Sequence, residues 1–337
     1  RSMIYTQNTS DGWHLIQRSL TLLLFPIILL FLKEDALSVR KLFNFLLYGL
    51  VISFFINLTI VIYDAFLIAN SLPSNVSFWK SLAIGWKFFM HIQFSSLINP
   101  GYVSLYILLV LSYYLKNELN TIWRFLTVII LFAYLFLLAS KAAYITLFFM
   151  SILLILKVAD KSKKYLLILV LGLSTLIFIS NPRIVNSINN FPDEIAEVNP
   201  TISWKERMLS WKAAIKTIEV APLFGYGVGD AHDVLIEGYN DLGYTENYKH
   251  RYNAHNQFLE TWLQTGLIGV FVLMVIFTNL ALHTRRSFNE FSVFLALFLA
   301  LIFESMLVRF NGIVFFSIVV PLLLKERTIL SSRVIKN

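Results

Sequence analysis

The sequence predicts an all-α, polytopic bundle of membrane helices with one large helical loop domain on its outer side. Three observations carry this. Of the 337 residues, 57% are hydrophobic and only 14% charged, against about 25% charged in a soluble domain. The apolar residues fall in blocks of roughly 17–25, the length that crosses a hydrocarbon core. The basic residues collect in alternate connections between those blocks.

Lipid cannot satisfy backbone N–H and C=O groups, so such blocks are helices or a closed barrel. They are continuously apolar and lack the period-two alternation of barrel strands. About nine spans follow, near 15–32, 42–63, 101–115, 122–139, 142–158, 165–181, 256–282, 290–308 and 313–324. Segment 64–100 carries Pro73, Trp79, Lys80, Trp86, Lys87 and His91 and reads as interfacial or re-entrant. Residues 1–181 are thus transmembrane helices with an interfacial segment near 64–100, residues 182–254 the outer loop domain, and residues 255–337 the C-terminal helices and tail. The first residue is Arg1, and the chain reads as an internal fragment whose earlier spans are missing.

The net charge of +8 is first a statement of topology, since Lys and Arg mark cytoplasmic connections. Lys33, Arg40 and Lys41; Lys116 and Arg124; Lys157, Lys161, Lys163 and Lys164; Arg285 and Arg286; and a tail with Lys325, Arg327, Arg333 and Lys336 fall on one side. The short connections of opposite parity hold only Lys141 and Arg309. The N-terminal stub, 64–100, 140–141, 182–254 and 309–312 therefore face out. The chain has no cysteine, so it has neither disulfides nor a thiolate metal site.

The outer loop is too long for a simple connector. Its stretch from Ser203 to Val220 reads as an amphipathic helix, opened by a Ser203/Glu206 capping box and with Trp204, Met208, Trp211, Ile215 and Ile218 on one face. Arg207 and Trp211, four apart, share a face. Pro222 and Gly225 end the helix, and the glycine cluster Gly225/Gly227/Gly229 follows. That cluster is not a dinucleotide fingerprint, because it follows a helix rather than a strand.

Three groups of residues are candidates for chemistry. His255 stands at the start of the seventh span, where a helix N-terminus attracts anions and a neutral imidazole can take a proton from a sugar hydroxyl. The alternative is a capping role; His91, His232 and His250 are rivals on the same side. Arg18, Lys141, Arg207, Arg251 and Arg309 are outer-face cations that can converge on a diphosphate, Arg by a bidentate fork. Glu304, in the eighth span, is expected to pair with one of them. Asp230, His232 and Asp233 read as turn residues rather than metal ligands.

The stretches Arg207-Met-Leu-Ser-Trp211, Ala221-Pro-Leu-Phe-Gly-Tyr-Gly-Val-Gly-Asp230, Ala254-His-Asn-Gln-Phe-Leu-Glu260 and Gly266-Leu-Ile-Gly269, in that order between spans, resemble the O-antigen ligase and polymerase family. Asn99-Pro-Gly-Tyr, Ser140-Lys-Ala and Glu304-Ser-Met-Leu-Val-Arg309 are similar to further family segments, so the resemblance covers roughly residues 90–325. It implies an integral-membrane glycosyltransferase, inverting and without metal or other cofactor, in the bacterial inner membrane with a periplasmic active face. The implied donor is a glycan on undecaprenyl diphosphate, and the acceptor a hydroxyl of lipid A core or of another lipid-linked glycan. By the same resemblance His255 is the catalytic base, Arg207 holds the diphosphate, and Lys141 stands where relatives carry Arg. Lys141 keeps the charge but loses the fork. Asn99 stands where relatives often have His, so no role passes to it.

A polymerase of the same fold is the first alternative; the His-Asn motif and the single dominant outer loop lean to ligase. A transporter of lipid-linked glycans needs polar residues deep in several spans, and the midspan positions here are nearly all apolar. A non-catalytic scaffold would tolerate loss of every outer-face cation.

Overall fold

A computed structural model describes residues 2–31, 37–71, 90–114 except 92 and 96, 122–157, 161–180 and 204–321. Residues 72–89 of the segment 64–100 expected to be interfacial, residues 181–203 with the expected Ser203 capping box, and the tail beyond 321 lie outside the described residues, while residues 64–71 continue a helix. Among the described residues all regular structure is helical. The chain divides into two compact units, Arg40–Glu197 and a second made of Arg1–Val39 with Val198–Asn337.

The first unit holds α4 (Leu37–Ser71), α5 (Pro100–Tyr114), α6 (Ile122–Leu138), α7 (Lys141–Lys157) and α8 (Lys161–Ser180). Its centre is α5, where Ile107, Leu108, Leu109 and Val110 are fully buried. A helix apolar all round must be buried in this way. Tyr134 of α6 joins α4 by accepting a hydrogen bond from Asn57 Nδ2 at 2.8 Å and sharing one with Ser53 at 2.8 Å. Phe54 and Phe94 pack edge-on against the Tyr134 ring.

The second unit begins with a short helix α1 (Ser2–Tyr5), then α2 (Thr9–Ser19) and α3 (Thr21–Phe31). Asn8 caps α2 by accepting from the Asp11 N–H at 3.2 Å. That cap starts the helix at Thr9, earlier than the apolar block at 15 suggests. Residues 204–254 supply α9 (Trp204–Ile218), α10 (Ala231–Asp241) and α11 (Thr245–Lys249). The long α12 (Gln257–Thr284) and α13 (Phe288–Phe303) form a hairpin, followed by a 3₁₀ turn (Met306–Val308) and α14 (Phe310–Pro321).

Among the described residues three helices are long and apolar enough to cross a membrane: Thr9–Leu29, Lys41–Leu67 and Gln257–Thr284. Pro100–Tyr113, Leu126–Leu138, Glu290–Phe303 and Phe310–Pro321 are shorter apolar helices. Their outward faces are apolar too: α4 exposes Phe45, Ile52, Phe55 and Ile62, and α12 exposes Leu267, Phe271 and Val275. Contiguous exposed apolar surface on this scale marks contact with lipid or another apolar partner.

The loop domain has its own core. Ala213, Ala214 and Ile218 of α9 meet Ala231, Leu235, Ile236 and Tyr239 of α10, with Ala254 and Leu263 completing the cluster. This corrects the stripe expected on α9. Ser210, Ala213, Ala214, Thr217 and Ile218 are buried, whereas Met208 and Ile215 face outward. Small side chains let α9 approach its neighbours closely, so the buried face is the small one. The side chain of Trp204 lies outside the described residues.

Candidate active site

Four consecutive residues between the outer loop and α12 build one wall. Asn253 Oδ1 accepts from the His255 N–H at 3.0 Å and bends the chain so that His255 adopts a left-handed φ of 46°. Asn256 then caps α12, its side chain accepting from Phe258 N at 2.9 Å and Leu259 N at 3.1 Å. A cap of this kind satisfies N–H groups that a helix start leaves open. His255 therefore stands just outside the helix rather than in its first turn.

The opposite wall comes from the end of α13. The helix stops at Phe303, and Glu304 is extended, with φ −151° and ψ 141°. The expected span 290–308 is thus shorter, and Glu304 lies beyond the helix rather than within it. The backbone turns there to re-enter α14, which leaves the carboxylate facing the first wall. The two segments zip together residue by residue. His255 Nδ1 lies 3.2 Å from Glu304 Oε1. The Asn256 N–H donates to Ser305 Oγ at 3.2 Å. The Leu307 N–H donates to Gln257 Oε1 at 2.7 Å.

From above, α9 clamps both walls. Arg207 donates to Glu304 Oε2 at 3.1 Å and to the Phe303 carbonyl. One turn later Trp211 donates its indole N–H to the His255 carbonyl at 3.3 Å, and its ring lies against Phe303. The i, i+4 spacing of Arg207 and Trp211 thereby spans the seam between the two walls.

The His255 side chain is only 3% exposed. Its Nε2 is buried and has no hydrogen-bond partner among the described residues. With Nδ1–H donated to the carboxylate, Nε2 carries the lone pair and can accept a proton. Burial alone would raise the Glu304 carboxyl, but the charges of His255 and Arg207 beside it, with Arg309, outweigh burial and bring it down to about 2. It is therefore an anion at neutral pH. Its charge faces the imidazole ring at 3.2 Å.

A second buried carboxylate supports the first wall. Glu260 Oε2 accepts from the Ala254 N–H at 3.0 Å, and Oε1 from Gln264 Nε2 at 3.2 Å. The sequence reading gave Glu260 no role, although an acidic residue in a first helical turn is an available signal.

The other sequence candidates fall elsewhere. Arg251 pairs with Asp233 at 2.6 Å on the exposed surface, and Arg18 is exposed in the last turn of α2. Arg309 is exposed at the mouth of the 304–309 turn. Lys141 opens α7 in the other unit and is half-buried there. His91, also in that unit, is tied by Nδ1 to the Leu138 carbonyl at 3.0 Å. His250 pairs with Glu246 at 3.4 Å and stacks on Tyr252. Among the described residues no group of three or more His, Asp or Glu is arranged to hold a metal ion. Asp230 instead accepts from the N–H groups of Gln7 and Asn8, each at 2.7 Å, and so latches the N-terminal segment to the loop domain.

The glycine cluster has a structural task. Helix α12 breaks at Gly266, with φ 68° and ψ −165°. The turn after Pro222 docks there: the Leu267 N–H donates to the Pro222 carbonyl at 3.0 Å, the Tyr226 N–H to Leu263 at 2.8 Å and the Gly227 N–H to Gln264 at 3.1 Å. Gly225, with φ 67°, and Gly266 are so close that a Cβ on either would strike the opposing backbone.

Residues 126–274 match the family model described as O-antigen ligase. The chain is also 25% identical over 232 residues to an uncharacterized protein of Haemophilus influenzae, a match covering 64% of this chain and 57% of that protein. The chain thus spans about 57% of the length of the relative it matches. The family match contains α9, the glycine turn and His255 in the order on which the resemblance was drawn. Through residues 126–274, this helical, membrane-type chain is similar to the O-antigen ligase family.

Proposed function

We propose that this protein transfers a glycan from undecaprenyl diphosphate to a sugar hydroxyl, of lipid A core or a similar acceptor, on the periplasmic face of the bacterial inner membrane. One observation carries the chemistry: the His255 imidazole is held by Glu304 at 3.2 Å through Nδ1, while Nε2 is buried without a hydrogen-bond partner among the described residues. Nε2 accepts the proton of the acceptor hydroxyl as its oxygen forms a bond to the anomeric carbon. The bond from that carbon to the diphosphate oxygen breaks, and the diphosphate leaves with the electron pair. A single displacement of this kind inverts the anomeric centre. The imidazolium rests on the Glu304 carboxylate and later releases its proton to water.

Arg207 serves first as a positioning residue, fixing Glu304 and the end of α13. A guanidinium has five N–H donors, so Arg207 retains donors for a phosphoryl oxygen. Arg309, exposed at the mouth of the same turn, adds positive charge for the leaving diphosphate.

The test is deletion of the gene in its bacterial host, with complementation by wild type or His255→Ala, and electrophoresis of the surface polysaccharide. Loss of all O-chain from lipid A core supports the ligase. A single repeat left attached assigns the polymerase reaction instead. Full complementation by His255→Ala overturns the base.

A further inference from the structure

The glycine turn docks on α12 at a depth that has a consequence. Gly266 lies nine residues into α12, which at 1.5 Å per residue is about 14 Å along the axis. A helix break within a membrane span frees backbone groups that lipid cannot satisfy, and protein must cover them. Here the turn covers them: the Leu267 N–H reaches the Pro222 carbonyl, and the carbonyls of Leu263 and Gln264 receive Tyr226 and Gly227. The Trp262 indole adds a bond to Pro222 at 2.8 Å.

The outside of this plug is apolar. Val220 is 80%, Leu223 59% and Phe224 48% exposed, and beside the break α12 exposes Leu267, Ile268 and Phe271. The hydrogen bonds therefore join two apolar surfaces into one band at the same level of the helix. The helix leading into the turn, α9, has an outer face on which Met208 and Ile215 alternate with exposed Lys205, Lys212 and Lys216. That composition suits the headgroup level of a bilayer, with apolar side chains inward and ammonium groups at the phosphates.

We propose that turn 220–224 is a membrane wedge. Val220, Leu223 and Phe224 enter the acyl-chain layer of the leaflet that receives the N-terminal end of α12. The wedge fixes the loop domain, and so His255, at a set height above that layer. It does not depend on the reaction proposed for His255.

The chain has no cysteine, so single-cysteine variants carry no background label. Phe224→Cys and Leu223→Cys, each bearing an environment-sensitive fluorophore, would be compared in lipid nanodiscs with Asp241→Cys on the exposed surface of α10. The labels at 223 and 224 should emit at shorter wavelength, resist aqueous iodide and be quenched by phospholipids carrying a nitroxide on the acyl chain. The label at 241 should show the opposite pattern. Iodide quenching at 223 and 224 equal to that at 241 overturns the wedge. Protection from iodide without nitroxide quenching overturns it too, because protein then covers the turn. In the unsubstituted chain, a phospholipid with a diazirine in its acyl chain should mark residues 220–224; marks confined to the long helices count against the wedge.

Discussion

Nδ1 of His255 lies 3.2 Å from Oε1 of Glu304, across 49 residues of sequence, and the same carboxylate holds Arg207 through its other oxygen at 3.1 Å. One anion thus organises both the imidazole and the guanidinium. Replacing His255 by Ala should lower transfer by about 10²–10⁴-fold, the range of a general base. Membrane insertion should be retained, whereas thermal stability should fall by about 1–3 kcal/mol, because the buried ring leaves a cavity and Glu304 loses a partner. Transfer measured in proteoliposomes with a lipid-diphosphate donor checks this.

Glu304→Gln keeps the shape and removes the charge beside the imidazole. A loss of about 10–100-fold is expected, as for other histidines oriented by an outer-shell carboxylate. Because the Glu304 carboxyl is brought down to about 2, it remains ionised throughout any practical assay. Acid loss of activity between pH 7 and 5 therefore does not come from Glu304. Its stabilising contribution is full above the ordinary glutamate value of about 4.3 and is lost only as pH falls toward about 2.

Arg207→Ala leaves the Glu304 carboxylate without its guanidinium and the Phe303 carbonyl without a donor. The carboxylate is partly solvated, so the expected cost is about 1–3 kcal/mol, below that of a fully buried pair. Arg207→Lys should be intermediate, since Lys keeps the charge but not the fork. Thermal unfolding in detergent, read beside transfer activity, separates positioning from diphosphate binding. Equal stability in all three proteins would argue against the positioning role.

Gly266→Ala and Gly225→Ala each place a Cβ at positive φ against opposing backbone. The positive-φ backbone alone costs about 1–3 kcal/mol, and the clash adds to it. Both variants should lose thermal stability, with proteolysis increasing first in the turn 220–229. Gly243→Ala, at φ 70° but with open space around it, should show the conformational cost without the clash.

His232 sits half-buried on α10, and burial together with Arg251 and Arg309 lowers its pKa, while Asp233 and Asp11 oppose this. The unfolded chain therefore binds a proton more readily than the folded one. Stability should fall as pH drops below the ordinary histidine value of about 6.5 and level off below the folded value. His232→Gln should flatten that slope in thermal melts between pH 7 and 5. An unchanged slope would assign it to another group.

The membrane class, the helical content and the order of the helices were legible because apolar block length and helix propensity are local properties. Arg207 and Trp211 were legible as a pair because helical spacing alone puts them on one face. Their targets were not, since these depend on where α12 and α13 meet. Glu304 was read as a charge within a span because apolar residues run on past it. Only the extended backbone after Phe303 shows that the helix stops first. The buried face of α9 was misread because hydrophobicity favoured Met208 and Ile215, whereas close packing favours Ser210, Ala213 and Ala214. The glycines of 225–229 signalled a turn, but their partner at Gly266 lies 41 residues beyond Gly225 and carries no local mark.

The zipper between 255–257 and 304–307 joins segments that leave the ribosome far apart in time. When His255 and the whole of α12 have been made, the chain still lacks α13 and the turn that carries Glu304. The imidazole then has no anchoring carboxylate, and Arg207 has no counter-ion. The two walls therefore come together late: the contact waits for α13 and for the turn that returns Glu304 to His255. A nascent chain can occupy the membrane well before it is competent, and a truncation that removes only α13 and α14 should yield an inserted but inert protein.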